Sequence, residues 1–180
     1  MKNKLLLHSC CAPCSSSVIE QLNNDYDIKV IFYNPNIEPE EEYLKRKEEQ
    51  LRLLEILKIS YIDIEYSNED FRNIINGYEK EKENGYRCTL CYKLRLEKVV
   101  EIALKDRFDY FGTTLSVSPH KNSEIINEIG MQLEKTYNVK YLQSDFKKND
   151  GYKRSVELAK EYDLYRQNYC GCINKEKENE

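Results

Sequence analysis

The sequence predicts an α/β fold: a mostly parallel sheet in a three-layer arrangement, with helices on both faces. Three observations carry that expectation. Short strand-like runs alternate with helical stretches along the chain. The 180 residues contain no internal repeat and no linker long enough to divide them, which fits one domain over residues 1–172 and a polar tail over 173–180. The composition, 40% hydrophobic and 33% charged, is that of a globular chain and too apolar for general disorder.

Each element has its own signal. Lys4–His8 (KLLLH) is a short apolar strand, and helix signals follow at Ser15–Leu22. Asp27–Tyr33 (DIKVIFY), rich in β-branched and aromatic residues, is the second strand. Asn34, Pro35 and Asn36 break the chain after it. Glu40–Leu57 reads as a long helix, with acidic residues early and Glu41/Lys45, Glu42/Arg46 and Glu48/Arg52 spaced i,i+4. Tyr61–Tyr66 alternates as a strand does. A polar helical stretch, Glu69–Glu83, leads to Cys88–Cys91. From Cys91 a helix sets Tyr92, Leu96, Val99, Val100 and Ala103 on one face. Phe108–Thr113 is a strand candidate. Ser118–Pro119 is expected to start a helix that Gly130 ends. Val139–Leu142 is a candidate fifth strand and Tyr152–Tyr162 the last helix.

The apolar run at the N-terminus, Leu5–Leu7, is too short for a signal peptide, and no stretch approaches the ~18 apolar residues of a membrane span. The expected compartment is the cytoplasm, with no membrane partner. Stable disulfides are rare there, so seven cysteines suggest metal binding or redox chemistry.

None of the seven stands alone. They read CCAPC (Cys10, Cys11, Cys14), CTLC (Cys88, Cys91) and CGC (Cys170, Cys172). CCAPC follows the first strand directly, where ligands sit in an open α/β sheet. Asn34 and Asn36 after the second strand, and Thr113 and Thr114 after the fourth, should line the same crevice. CTLC opens its own helix, whose partial positive charge favours thiolate and metal ligation. Four thiolates suit Zn²⁺ or an iron–sulfur cluster. Adjacent cysteines diverge, which favours two sulfurs on different irons over one shared Zn²⁺. CGC is a different object: a disulfide across one residue is strained and easily reduced, a property of redox-active pairs, although a second metal-ligand pair is also open. Cys14 lies one helical turn from Cys10 and Cys11, so it faces the cluster or packs.

The segments LLLHSCCAPCS, FYNPNIEP followed by EYLKR, YRCTLCYKLRLE, FGTTLSVSPHKN, SDFKK and DLYRQNYCGC occur in that order. In them the chain resembles the cobalamin-independent epoxyqueuosine reductases, the QueH type, from about Leu5 to Cys172. The resemblance implies a fold akin to the adenine-nucleotide alpha-hydrolase-like (HUP) group. It implies an oxidoreductase that removes the epoxide oxygen of epoxyqueuosine in the tRNA anticodon loop, giving queuosine and water. It assigns a [4Fe-4S] cluster to Cys10, Cys11, Cys88 and Cys91, and a redox-active disulfide to Cys170 and Cys172. The family is also associated with an additional iron, for which Asp145 and Cys14 are candidates. Asp145 is taken as a catalytic candidate too, and an external electron donor is required. The loop NDGYKRS after SDFKK departs from the expected glycine-rich form.

Rival readings are an iron–sulfur oxidoreductase of the adenylylsulfate reductase kind and a zinc-stabilised RNA-binding module. The net charge of −4 is uneven: residues 1–85 carry 11 Lys/Arg against 17 Asp/Glu, and residues 86–172 carry 15 against 12. In the basic half, Arg87, Lys93, Arg95, Lys121, Lys147, Lys148, Lys153 and Arg154 are candidates for phosphates, and Tyr33, Tyr86 and Tyr152 for stacking on bases. His8 reads equally as a packed histidine or a proton shuttle.

Overall fold

A computed structural model describes residues 2–172. Residues 173–180, and with them the polar tail expected from the sequence, lie outside the described residues. Five strands form one sheet: β1 (Asn3–His8), β2 (Tyr26–Ile31), β3 (Ser60–Ile62), β4 (Tyr110–Thr113) and β5 (Lys140–Tyr141). Their order is β3-β2-β1-β4-β5, and every pairing is parallel. The helices are α1 (Ala12–Leu22), α2 (Glu40–Leu57), α3 (Glu69–Ile74), α4 (Tyr86–Lys105), α5 (Ser123–Tyr137) and α6 (Gly151–Glu161).

The pleat of β1 divides the core. Leu6 faces one layer with Val99, Val100 and Ala103 of α4 and Ile126, Ile129 and Leu133 of α5. Its neighbours Leu5 and Leu7 face the other layer with Val18 and Ile19 of α1 and Leu54 of α2. Both faces of β1 are buried, so it reads as a continuous apolar run rather than an alternating one. α6 packs on the second layer, where Ala159 joins Ala12 and Leu53.

This order creates a switch point. From β1 the chain runs outward through β2 to β3, then returns to build β4 on the opposite side of β1. Loops leaving the carboxyl ends of β1 and β4 therefore diverge and leave a crevice between them. CCAPC leaves β1, and Thr113–Thr114 leaves β4.

Several boundaries differ from the sequence reading. α1 begins three residues earlier, at Ala12, with Pro13 in its first turn, where its missing N–H costs nothing. β3 is only three residues long, because β2 offers partners for Ser60–Ile62 alone. α4 begins at Tyr86, so CTLC lies inside its first turns. α5 does not start at Ser118–Pro119. Those residues follow a 3₁₀ turn (Leu115–Val117), and Asn122 is the cap, its Oδ1 accepting from the N–H groups of Glu124 and Ile125. Nor does Gly130 end the helix. It lies in the middle of α5 beneath the Tyr141 ring, where a Cβ would collide with that ring. The stop is Asn138, in the left-handed conformation.

Candidate metal and thiol centre

The crevice wall begins with buried polar residues that fix the CCAPC turn. His8 is fully buried. Its Nε2–H donates to the Tyr33 carbonyl at 2.9 Å, and its Nδ1 accepts from the Thr113 hydroxyl at 2.9 Å. Burial, then the Arg95 charge, pushes its pKa down to about 4, so the ring stays neutral and serves as a brace between β1, β2 and β4. Ser9 donates to Gln50 Oε1 at 2.6 Å, and its carbonyl accepts from Asn34 Nδ2 at 2.9 Å. The chain thus reaches Cys10 with little freedom.

At the end of that brace three sulfurs converge. The Sγ atoms of Cys10, Cys11 and Cys14 all lie within 4.8 Å of one another. Cys11 occupies the extended N-cap position of α1, and Cys14 comes round one turn later. Thr114, from the β4 side, accepts from the Cys10 N–H at 3.2 Å, and its hydroxyl is 3.4 Å from Cys10 Sγ. S–H groups of Cys11 and Cys14 directed at Cys10 hold its pKa well below the usual thiol range. The same contact with Cys10 pushes Cys11 up to about 12 and raises Cys14. The three sulfurs form one compact soft donor set, an arrangement suited to a soft metal.

These sulfurs line a cavity of about 430 Å³ together with Arg46, Arg95, Lys121 and Cys170. A second, much smaller cavity of about 20 Å³ adjoins it, lined by Cys88, Cys91, Phe71 and Cys172. Glu83, Arg95, Lys121 and Cys170 line both. The three cysteine motifs, which run from Cys10 to Cys172, therefore meet at one place. Cys88 Sγ accepts from the Asn84 N–H at 3.3 Å, and burial pushes Cys91 up to about 11.

Two cations read from the sequence as phosphate candidates are interior parts of this site. Arg95 is 2% exposed. Its Nη1 donates to Asn34 Oδ1 at 2.9 Å, whereas Nε and Nη2 have no hydrogen-bond partner among the described residues. Two buried guanidinium nitrogens whose N–H groups lack acceptors are costly. Sulfur acceptors of a bound cluster on the facing cysteines would satisfy them, so the donor set fits such a group. Lys121 Nζ donates to Cys170 Sγ at 3.7 Å. Burial disfavours its ammonium, but the Cys170 and Cys10 thiolates outweigh burial and push its pKa up.

A family model described as epoxyqueuosine reductase QueH matches residues 5–178. The chain belongs to the QueH family. A family member from Staphylococcus epidermidis is 46% identical over 178 residues, covering 94% of this chain and 75% of that protein. One from Thermotoga maritima is 37% identical over 172 residues, covering 94% and 88%. Two solved structures share the fold. A predicted subunit of tRNA methyltransferase from Methanocaldococcus jannaschii gives a TM-score of 0.57 at 18% identity, over 89% of this chain and 75% of that one. The U34-tRNA thiolase NcsA from Methanococcus maripaludis, solved with its [4Fe-4S] cluster, gives 0.57 at 15%, over 93% and 60%.

The remaining sequence candidates of this QueH chain sort as follows. All seven cysteines are free thiols, so Cys170 and Cys172 stand as a dithiol. Asp145 lines neither cavity. Its carboxylate lies 3.8 Å from Lys147 Nζ and 3.6 Å from Lys148 Nζ. Arg87 is buried and donates to the Glu79 carbonyl, and Arg154 is held by Glu20 and Glu157. Tyr33 is buried with its hydroxyl on Asp70, while Tyr86 and Tyr152 are exposed. Of these three, Tyr152 alone lines the larger cavity. Sequence reasoning missed Gln167, which lines that cavity with a buried Oε1 lacking a partner among the described residues; its position in RQNYCGC was the available signal.

Proposed function

We propose that this chain is an epoxyqueuosine reductase that removes the epoxide oxygen of epoxyqueuosine in the anticodon loop of tRNA, yielding queuosine. The observation that carries the reading is the convergence of CCAPC, CTLC and CGC on two adjoining cavities that share Glu83, Arg95, Lys121 and Cys170. Residues 1–172 act as one catalytic domain working in the cytoplasm. No helix among the described residues is long and apolar enough to cross a membrane.

Cys10, Cys11, Cys88 and Cys91 are the ligands of a [4Fe-4S] cluster, with Arg95 offsetting its negative charge from within the wall. When bound, the cluster supplies single electrons. The place of Cys14 beside Cys10 and Cys11 supports it, rather than Asp145, as a ligand of an additional iron. Cys170 and Cys172 supply the electron pair. Their two sulfurs join in one S–S bond as the two C–O bonds of the epoxide break, leaving a C=C bond. With Cys170 as thiolate, one proton comes from the Cys172 thiol and the other from Lys121 Nζ, and the oxygen leaves as water. An external electron donor then reduces the disulfide. Tyr152, exposed at the larger cavity, is placed to stack on an unpaired base.

The test is anaerobic reconstitution with iron and sulfide, followed by assay on tRNA carrying epoxyqueuosine with a strong chemical reductant. A brown protein that forms queuosine is expected. A colourless protein with stoichiometric zinc, or a loaded protein that forms no queuosine, contradicts the proposal.

A further inference from the structure

The EYLKR segment of α2 has no role in the chemistry above, yet its last residue touches the CGC segment. Arg46 is 3% exposed. Its Nη1 donates to the Cys170 carbonyl at 3.0 Å and its Nη2 to the Tyr169 carbonyl at 3.2 Å. Nε donates to Glu42 Oε1 at 2.6 Å, and the guanidinium lies over the Tyr169 ring, 4.9 Å from its centre. A buried guanidinium with all three nitrogens engaged is rigid, and its hydrogen bonds are charge-assisted.

What this clamp holds matters. Two peptide units separate the Cys170 and Cys172 side chains. Arg46 orients the first through the Cys170 carbonyl. The Glu38 N–H orients the second, donating to the Gly171 carbonyl at 2.8 Å. Gly171 between them has φ +102°, a conformation that favours glycine, and a Cβ there would come within 3.1 Å of Arg46 Nη1 and 3.0 Å of Ile37 Cγ1. The backbone on both sides of the glycine is thus fixed from outside the segment.

We propose that Arg46 is a positioning residue for the thiol pair: by clamping the Tyr169 and Cys170 carbonyls it holds Cys170 Sγ at the shared edge of the two cavities, in reach of Cys172 and Lys121. The proposal rests on the reading of CGC as the redox pair. Closure of the pair forms one S–S bond and releases two electrons: Cys170 reacts as a thiolate, the Cys172 S–H breaks, the second proton comes from Lys121 Nζ, and two electrons and two protons pass to an oxidant. In catalysis that oxidant is the epoxide; in the test it is diamide.

The same helix supplies an internal control. Arg52 holds the start of the same segment, donating to the Tyr162 carbonyl at 3.0 Å and the Asp163 carbonyl at 2.7 Å, and it touches neither cysteine. The experiment uses full-length protein reconstituted with iron and sulfide, reduced and kept anaerobic. It measures the rate of Cys170–Cys172 disulfide formation with diamide and the rate of Cys170 alkylation by iodoacetamide, both by peptide mass mapping. Arg46→Ala should slow disulfide formation about tenfold and change the alkylation rate of Cys170, as loss of a charge-assisted clamp implies. Arg46→Lys, which keeps the charge and loses the fork, should fall between. Arg52→Ala should match wild type in both rates. If wild type itself forms no Cys170–Cys172 disulfide, the redox reading fails and the positioning role with it. If wild type forms the disulfide and Arg46→Ala or Arg46→Lys forms it as fast, or if Arg52→Ala slows it equally, the positioning role alone is overturned.

Discussion

The two sides of this thiol centre are built by different means. The CCAPC side grows out of the sheet. β1 is paired on both edges, its side chains fill both core layers, and His8, Ser9 and Thr114 brace the turn that presents Cys10. The CGC side, from Tyr162 to Cys172, contains no helix or strand. Polar groups of α2 hold it: Arg52 at Tyr162 and Asp163, Glu49 at the Tyr165 N–H, Glu42 at the Tyr165 hydroxyl, and Arg46 at Tyr169 and Cys170. Leu164 is its main apolar anchor. Backbone pairing and core burial suit sulfurs that must hold a metal still. In the proposed reaction the α2 hydrogen bonds fix the backbone of the CGC pair, and its two sulfurs approach and separate by side-chain rotation.

That contrast can be broken by substitution. The largest effect is expected at the proposed cluster ligands: Cys10→Ser or Cys91→Ser should abolish the visible iron–sulfur absorbance and queuosine formation together, read by spectroscopy of the reconstituted protein. A mutant that kept both would remove that cysteine from the ligand set. Next, Gly171→Ala should lower turnover about tenfold or more through backbone strain and crowding against Ile37 and Arg46. It should leave cluster absorbance intact; wild-type turnover would show that the CGC backbone need not hold its present shape. A smaller effect is expected of Arg52→Ala. It should cost roughly 1 kcal/mol in denaturant unfolding, the worth of exposed charge-assisted contacts, and leave the absorbance unchanged. The smallest concerns the surface. Arg154 hydrogen-bonds Glu20 and holds its pKa below the usual carboxylate range. A lowered carboxylate pKa stabilises the fold above the unfolded-state pKa and loses that contribution as pH falls through the folded one. A thermal melt should therefore show Glu20→Gln slightly less stable than wild type at neutral pH, with the gap closing below about pH 4.

The same contrast explains what was legible in the sequence. β1, α2 and the cysteine motifs are local: an apolar pentamer, a long charged helix and tight spacings each carry their own signal, and α2 spans Glu40–Leu57 as read. Where tertiary packing decides, local signals mislead. Gly130 looks like a helix stop, but it is a close-packing position beneath Tyr141. Ser118–Pro119 looks like a helix start, but Asn122 has the better-placed acceptor. Arg95 and Lys121 look like surface cations and line the interior site. Glu42 and Arg46 do pair at i,i+4. Nothing within α2 reveals that the remaining Arg46 donors are aimed at carbonyls more than 120 residues later. Arg52 turns to Glu49 rather than Glu48 for the same reason: the Tyr162 and Asp163 carbonyls it holds lie on that face.

The proposed function is a division of labour among the cysteines, with one set holding the cluster and the CGC pair supplying the electron pair. Its most direct test is a single anaerobic turnover of reconstituted, pre-reduced enzyme with epoxyqueuosine-containing tRNA and no other reductant, followed by quantification of queuosine and of the Cys170–Cys172 disulfide. One disulfide is expected for each queuosine formed. Queuosine formed while Cys170 and Cys172 remain reduced would contradict it.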